Sequence, residues 1–221
     1  MADPTHEASQ TPQRVMALCC FAALSTSVLL GLVGIALVPW GLTLLYGRTY
    51  AGAGAAVAVA LATAVSHMGT APASARLTIV SIRATAVINT LWAAFVAVAA
   101  TLFLLHGGLA WYAMAIYFSA HAVSSTLALL ALKRWDRLPA GVLPLFATSL
   151  LSVGAAAGLS IWRGTRDQTF APTLAIAAIL FLTAWALYGF GRRYAWLPPR
   201  EVFQRLLEKF PKFSPRRARH V

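Results

Sequence analysis

Two runs of polar residues inside apolar segments are the parts of this sequence best suited to chemistry. Each run has a polar side chain at every fourth position, the spacing of one helix face: Ser81, Thr85 and Asn89 in the first, and Tyr117, His121 and Ser125 in the second. Asn89 and Ser125 both lie 18 residues from Gly107, where two adjacent glycines predict a tight turn. We therefore expect a helical hairpin in which the two polar faces meet at one depth.

These polar faces admit two interpretations. Hydroxyl, amide or imidazole groups between packed membrane helices can serve simply to link them, at roughly 0.6 kcal/mol per hydrogen bond. An ionisable side chain at mid-membrane, however, is by default a candidate functional group. The second interpretation predicts a ligand or haem pocket lined by Asn89, Tyr117, His121 and Ser125.

The positions of the histidines restrict a haem site. The sequence predicts His67 near the inner end of the second apolar segment, His106 at the outer end of the third, and His121 near mid-membrane. At 1.5 Å per residue these levels differ by about 10 Å or more, so a haem held between two histidines is not expected. A single axial ligand, His121, is compatible with the spacing. We expect no other cofactor and no metal site.

Two further features concern anion binding and helix packing. Arg83 stands at the start of the third apolar segment, where it either attracts an anion or extends to the membrane interface; we favour the interface. Gly154 and Gly158 form a small-xxx-small pattern that lets two helix backbones approach closely, and Gly31 and Gly34 in the first segment can do the same. We expect this pattern to pack inside the bundle rather than against another subunit.

The apolar segments carry no recognisable catalytic motif. An intramembrane serine protease of the rhomboid type needs Gly-x-Ser-Gly and a histidine in another span, but here Ile161 follows Ser160. All six acidic residues lie outside the apolar segments, which excludes a glutamate-based metalloprotease and disfavours an ion-driven transporter. Cys19 and Cys20 are adjacent and cannot form a disulfide framework. The sequence therefore favours a protein without a catalytic centre of its own.

The composition requires a membrane. Hydrophobic residues make up 59% of the chain and charged residues 11%, whereas a soluble domain has about 25% charged residues. Six segments reach or approach the ~20 apolar residues that span a bilayer: 16–38, 51–68, 84–105, 109–132, 143–162 and 172–191. Pro39 is expected to end the first of them. We predict an all-α integral membrane protein with a polar tail over 1–15 and a six-helix bundle over 16–191.

The basic residues predict the orientation. With the N-terminus inside, all 18 Lys and Arg residues except Arg48, Arg163 and Arg166 lie on the inner side. Positive charge in short loops prefers the cytoplasmic side, so both termini are expected in the cytoplasm. The predicted location is the plasma membrane of a bacterium, its inner membrane, with multiple passes. Most tryptophans lie at span ends, and Trp92 and Trp185 alone lie inside spans.

The segment 192–221 predicts a basic cytoplasmic tail containing an amphipathic helix. It holds nine basic and two acidic residues, and its apolar residues recur at helical spacing. The residues expected at the membrane surface are Phe203, Arg205, Leu206, Lys209 and Phe210. Such a helix binds anionic lipid headgroups. Binding to nucleic acid is not expected, because the tail contains no folded motif that could contact bases.

These observations leave two classes of function open. The favoured one is a non-catalytic subunit or accessory protein of a larger membrane complex, with other membrane proteins as partners. The alternative is a small carrier or channel for a neutral or anionic solute, and a membrane redox subunit with haem comes third. The polar faces around Asn89 and His121 distinguish these functions, because a carrier needs a cavity there and a packed bundle does not.

Overall fold

Six long helices make up the fold. The computed structural model of the protein describes residues 4–106, 110–136, 138–166 and 170–196. The helices are α1 (Pro4–Tyr46), α2 (Gly54–Val80), α3 (Ile82–His106), α4 (Ala110–Trp135), α5 (Val142–Arg166) and α6 (Phe170–Arg193), with a short 3-10 helix over Arg48–Ala53. All six helices are long and apolar enough to cross a membrane, over 22 to 34 residues each. The prediction of an all-α protein with six membrane-spanning helices is confirmed at that level.

Two prolines lie inside helices that were expected to be shorter. α1 continues through Pro39 to Tyr46, so the expectation that Pro39 ends the first span is wrong; α1 also begins at Pro4, inside the predicted tail. α2 continues through Pro72 to Val80, well past its predicted end at position 68. In a membrane, a helix satisfies the backbone groups that lipid cannot, and neighbouring helices and hydroxyls compensate at a proline.

A single residue, Ser81, separates α2 from α3. Its backbone is extended, with φ −153° and ψ 91°. The Ala84 N–H donates a hydrogen bond to the Ser81 hydroxyl at 3.3 Å, which is the contact of a helix N-cap. Ser81 therefore starts α3, and most of the loop expected between the second and third spans is helix α2 instead.

The buried core lies mainly where α1 packs on α2 and α5. Several of its side chains are fully buried: Val28, Leu32, Ile35, Ala58, Ala62, Val142 and Leu145. Small residues bring α1 and α2 together, since a Cβ on Gly31 would collide with Val65 and a Cβ on Gly69 would lie 2.7 Å from Leu24. We call this contact between α1 and α2 the seam. It is held by close van der Waals packing, because the hydrophobic effect does not drive helices together in lipid.

The glycine pair of α5 does not form such a seam. Gly158 is exposed, and a Cβ built on it meets no described atom within 4 Å. A Cβ on Gly154 would make only an ordinary contact with Phe118 at 3.9 Å. The buried face of α5 carries Ala156 and Ala157 instead. Close backbone approach inside the described bundle therefore occurs at Gly31 and Gly69, whereas Gly154 makes only the ordinary contact with Phe118 and Gly158 makes none.

Contacts at one end of the bundle bring together the C-terminal ends of three helices. Arg76 of α2 pairs with Asp136, which directly follows α4. In the turn before α5, Gly141 has φ +90°, and a Cβ there would lie 2.6 Å from the Tyr194 ring that follows α6. The predicted surface helix and its residues Phe203 to Phe210 lie outside the described residues, as does the predicted glycine turn at Gly107.

Candidate functional site

A cleft of about 960 Å³ lies between α2, α3 and α4. Its walls include Asn89, Tyr117, His121 and Ser125, the four residues that the sequence placed in a pocket. The same helices leave residues such as Ala64 exposed, and the most apolar stretch of α3 has no buried residue. The cleft is thus accessible from outside the bundle, with α3 as its outer wall.

Four ring side chains form a cluster in the wall of the cleft. The ring of His121 lies 4.6 Å from Tyr117, 5.1 Å from Trp92 and 5.3 Å from His67, measured between centroids. Trp92 and Tyr117 also meet edge to face at 5.8 Å. These separations are those of favourable aromatic pairs. His121 is the centre of the cluster, which joins one residue of α2, one of α3 and two of α4.

The ring cluster lies at mid-depth, and this corrects the predicted position of His67. His67 is the middle residue of α2, about 20 Å from either helix end at 1.5 Å per residue. The sequence argument ended this helix too early and therefore predicted His67 at a different level from His121. The two imidazole rings are in direct contact instead.

Ser125 contacts α2 rather than α3. Its hydroxyl lies 3.2 Å from the Thr70 hydroxyl, and both residues are buried. The polar face of α4 therefore reaches two partners, with Ser125 toward α2 and Tyr117 toward Trp92 on α3. Arg83 is exposed in the first turn of α3 and does not line the cleft.

Some polar groups of the cleft already have hydrogen-bond partners in the protein, and others do not. Most hydroxyls donate to a carbonyl of their own helix: Thr63 to Val59, Thr70 to Ser66, Thr78 to Ser74, Thr85 to Ser81 and Ser124 to His121. Asn89, Tyr117 and the two imidazoles make no hydrogen bond within the described part of the chain. The buried indole N–H of Trp92 also lacks an acceptor there. These five side chains are available to bind a ligand.

The described cleft wall carries no permanent charge. It contains no Asp, Glu, Lys or Arg side chain, and its ionisable groups are His67, His121 and Tyr117. Among the described residues, no group of three or more His, Cys, Asp or Glu side chains could hold a metal ion. A dication would therefore meet two imidazoles and no carboxylate, whereas an uncharged molecule would meet several hydrogen-bond donors.

Sequence reasoning missed the contribution of α2 and of Trp92. The signal was present, since Thr63, His67, Thr70 and Ser74 are spaced by four, three and four residues, which places them on one helix face. The premature helix end at position 68 hid the second half of this face. Trp92 is one of only two tryptophans inside the predicted spans, which was a second signal.

Comparison with models of known protein families, with curated proteins and with solved structures finds no match to this chain. The functional conclusion therefore depends on the geometry of the cleft.

Proposed function

We propose that this multi-pass membrane protein binds a small uncharged solute in the cleft between α2, α3 and α4 and carries it across or within the membrane. The observation that carries the proposal is the cleft itself, with unpaired donors at mid-depth from Asn89, Trp92 and His121. A volume of about 960 Å³ is within the range of pockets that hold a drug-sized ligand.

An uncharged solute fits this cleft better than an anion. The cation that would attract an anion, Arg83, lies outside the cleft wall. Transfer of a charge to a site of low dielectric is costly unless the charge is paired, and no fixed charge lines the described cleft. Aromatic rings and five alanines also line the cleft, which suits a molecule with both apolar and hydrogen-bonding parts.

Thermal stabilisation followed by flux tests this proposal. Purified protein is screened against uncharged solutes for a rise in melting temperature, and each hit is then measured for flux in proteoliposomes. We expect hits whose effect is lost in Ala93→Trp, which fills the cleft, and kept in Ala94→Trp, which replaces an exposed neighbour outside its wall. Hits that respond equally to both variants would contradict binding in the cleft.

A second candidate function is that of a subunit or accessory protein in a larger membrane assembly. It is favoured by α3, whose most apolar stretch has no buried residue and so leaves a complete helix face for another membrane protein. Extraction in mild detergent and crosslinking from Leu102→Cys, on exposed α3, tests it against Leu132→Cys, which is buried. Partners captured only from α3 would support this function, and a partner-free monomer would argue against it.

Haem bound by His121 as a single axial ligand is a third candidate. Its support is the central place of His121 in the cleft. The absorption spectrum of protein purified from a haem-replete host tests it. A Soret band lost in His121→Ala would support the redox function, and a spectrum without that band would remove it.

We further propose that the bundle end holding Asp136 and Trp196 faces the cytoplasm of a bacterial cell, so that both termini are inside. The excess of Lys and Arg predicted on that side supports this orientation. Labelling by a membrane-impermeant maleimide tests it in variants lacking Cys19 and Cys20. Arg48→Cys should be labelled from outside and Arg134→Cys only after lysis, and the opposite pattern would reverse the orientation.

The tail is proposed to lie on the cytoplasmic membrane surface as an amphipathic helix. Its apolar residues recur at helical spacing with charged residues between them, which supports this placement. In full-length protein on anionic vesicles, trypsin should cut slowly at Arg205 and Lys209. Joint replacement of Phe203 and Phe210 by Ser, or raised salt, should speed this cleavage, whereas Gln204→Ser should not. Rapid cleavage of the unmodified tail would contradict a surface helix.

A further inference from the structure

We infer that the cleft takes a membrane-soluble ligand with a flat, uncharged, carbonyl-bearing ring, the chemistry of a quinone headgroup, and that this ligand enters from the lipid. The inference rests on the proposed function, because it specifies which class of uncharged molecule the same cleft binds. Four properties of the cleft lead to it: flat rings, unpaired donors, the absence of fixed charge from its described wall and an opening at mid-depth.

The ring cluster favours a flat ligand. Tyr117 and His121 form an edge-to-face pair at 4.6 Å, and Trp92 lies within 5.8 Å of both. Tyr117 retains 37% exposure and His67 is also exposed, so part of the cluster remains uncovered beside the cleft. A planar ring stacks on such surfaces, whereas a flexible polyol gains little from them.

The unpaired groups favour a ligand that accepts hydrogen bonds. The Trp92 indole can only donate, and Asn89, Tyr117 and each imidazole supply further N–H or O–H donors. Most hydroxyl protons of the cleft are already given to helix carbonyls, so donors from three helices remain for a ligand. Ring carbonyl oxygens match this set, because they accept hydrogen bonds and carry no charge.

The position of the opening favours a ligand dissolved in the bilayer. His67 is exposed about 20 Å from either end of α2, a depth at which the surroundings of a spanning helix are hydrocarbon. The wall extends along α2 from Ala60 to Thr78, about 27 Å at 1.5 Å per residue, so it offers length for an apolar tail. Ala60, Ala64 and Ala93 supply the small apolar surface that such a tail needs.

Binding of matched probes to the full-length protein in nanodiscs tests the inference. The probes are a short-chain ubiquinone analogue, an isoprenoid alcohol with the same tail and no ring, and glycerol. Binding of the quinone should quench tryptophan fluorescence, and Trp92→Phe should remove most of that quenching. Asn89→Leu and His121→Leu should each weaken binding about tenfold, the effect of losing one useful hydrogen bond.

Two further variants separate a recognition effect from loss of folding. His121→Gln keeps an N–H donor and should bind within about threefold of the unmodified protein. Ser119→Ala, on the exposed face of α4, should bind as the unmodified protein does. The melting temperature of every variant is measured as well. If His121→Leu lowers the melting temperature more than Ser119→Ala does, the conclusion is drawn from His121→Gln instead.

The outcomes distinguish this inference from the proposed function. Equal binding of the isoprenoid alcohol and the quinone would overturn recognition of a ring. Binding of glycerol without the quinone, lost in Ala93→Trp, would overturn the quinone-type ligand and leave the uncharged-solute function standing. A quinone that binds unaltered by Asn89→Leu, His121→Leu and Trp92→Phe would overturn the site. No binding by any uncharged probe would overturn both the inference and the proposed function.

Discussion

The two sides of α2 face very different surroundings. Toward α1, its residues Ala58 and Ala62 are fully buried, and Val65 lies against the backbone of Gly31. Toward α3 and α4, Ala64 and His67 stay exposed in the wall of the cleft. One helix thus belongs both to a closely packed seam of the bundle and to the wall of the open cleft.

The chemistry of the two sides differs in the same way. The closed side is built from Val, Leu, Ile, Ala and Gly, with side chains that can only pack. The open side holds the two histidines, Trp92 and Asn89, whose polar atoms lack partners within the described chain. This difference teaches that the exposed residues of the cleft, such as Ala93 and His67, can be altered without touching the core, whereas Leu77 and Ala128 belong to both.

The largest effect is expected on stability, from a bulky side chain placed between α1 and α2 on the closed side. Gly31→Leu places a branched side chain against Val65, whose own χ1 is stiff, so the helices must separate. We expect a loss of about 3 kcal/mol, or roughly 10 °C in melting temperature. Gly41→Leu, on the same helix but with no described atom within 4 Å of its Cβ, is the matched control. Equal melting temperatures for the two variants would remove the distinction between seam and cleft.

The second largest effect is expected on ligand binding, without a change in stability. Ala93→Trp fills the cleft from α3 and should weaken ligand binding at least about 100-fold, because it occupies the space of the ligand. Its melting temperature should match that of Ala94→Trp, since both residues are exposed and neither belongs to the core. Binding is measured by ligand-induced thermal stabilisation. A large fall in melting temperature for Ala93→Trp would mean that the open side also supports the fold.

The sequence predicted the open side only in part. Periodicity at every fourth residue placed Asn89, Tyr117 and His121 on helix faces that were expected to meet, and all three line the cleft, because helix geometry fixes which residues share a face. It did not predict the contribution of His67, because that required the true length of α2. A proline in a membrane helix does not mark its end, since the lipid environment favours continued backbone hydrogen bonding.

The closed side was harder to predict, because small residues at the spacing of a packing pair occur in more than one helix. The sequence indicated close packing at Gly31 as well as at the pair Gly154 and Gly158, but the close contacts occur at Gly31 and at Gly69, which it did not single out. Small residues are frequent in all these helices, so spacing alone does not say which helix lies opposite. That choice depends on shape matching over whole helix faces, which a single sequence does not display.

A smaller effect is expected from the centre of the ring cluster. His121→Ala removes one donor and the ring that contacts Trp92, Tyr117 and His67, so binding should weaken about tenfold. Ser119→Ala, two residues away on an exposed face and bonded only to its own helix, should leave binding unchanged. Flux or ligand-induced stabilisation measures both variants. Unaltered binding in His121→Ala would assign the polar face to helix linking.

The smallest effect is expected from the Arg76–Asp136 pair, which lies at the end of the bundle beyond both the seam and the cleft. Its second contact joins Nη2 to Oδ1 at 3.1 Å, and the two side chains are 42% and 29% exposed. A pair this exposed gains little, because water and salt screen the attraction and two flexible side chains must be ordered. Asp136→Asn should therefore lower the melting temperature by less than about 2 °C and change ligand binding less than about twofold. Comparison of Asp136→Asn, Arg76→Gln and the double variant at low and high salt checks this. If the coupling energy between Arg76 and Asp136 persists at high salt, or if breaking the pair weakens ligand binding, then the end of α2 also contributes to the open side.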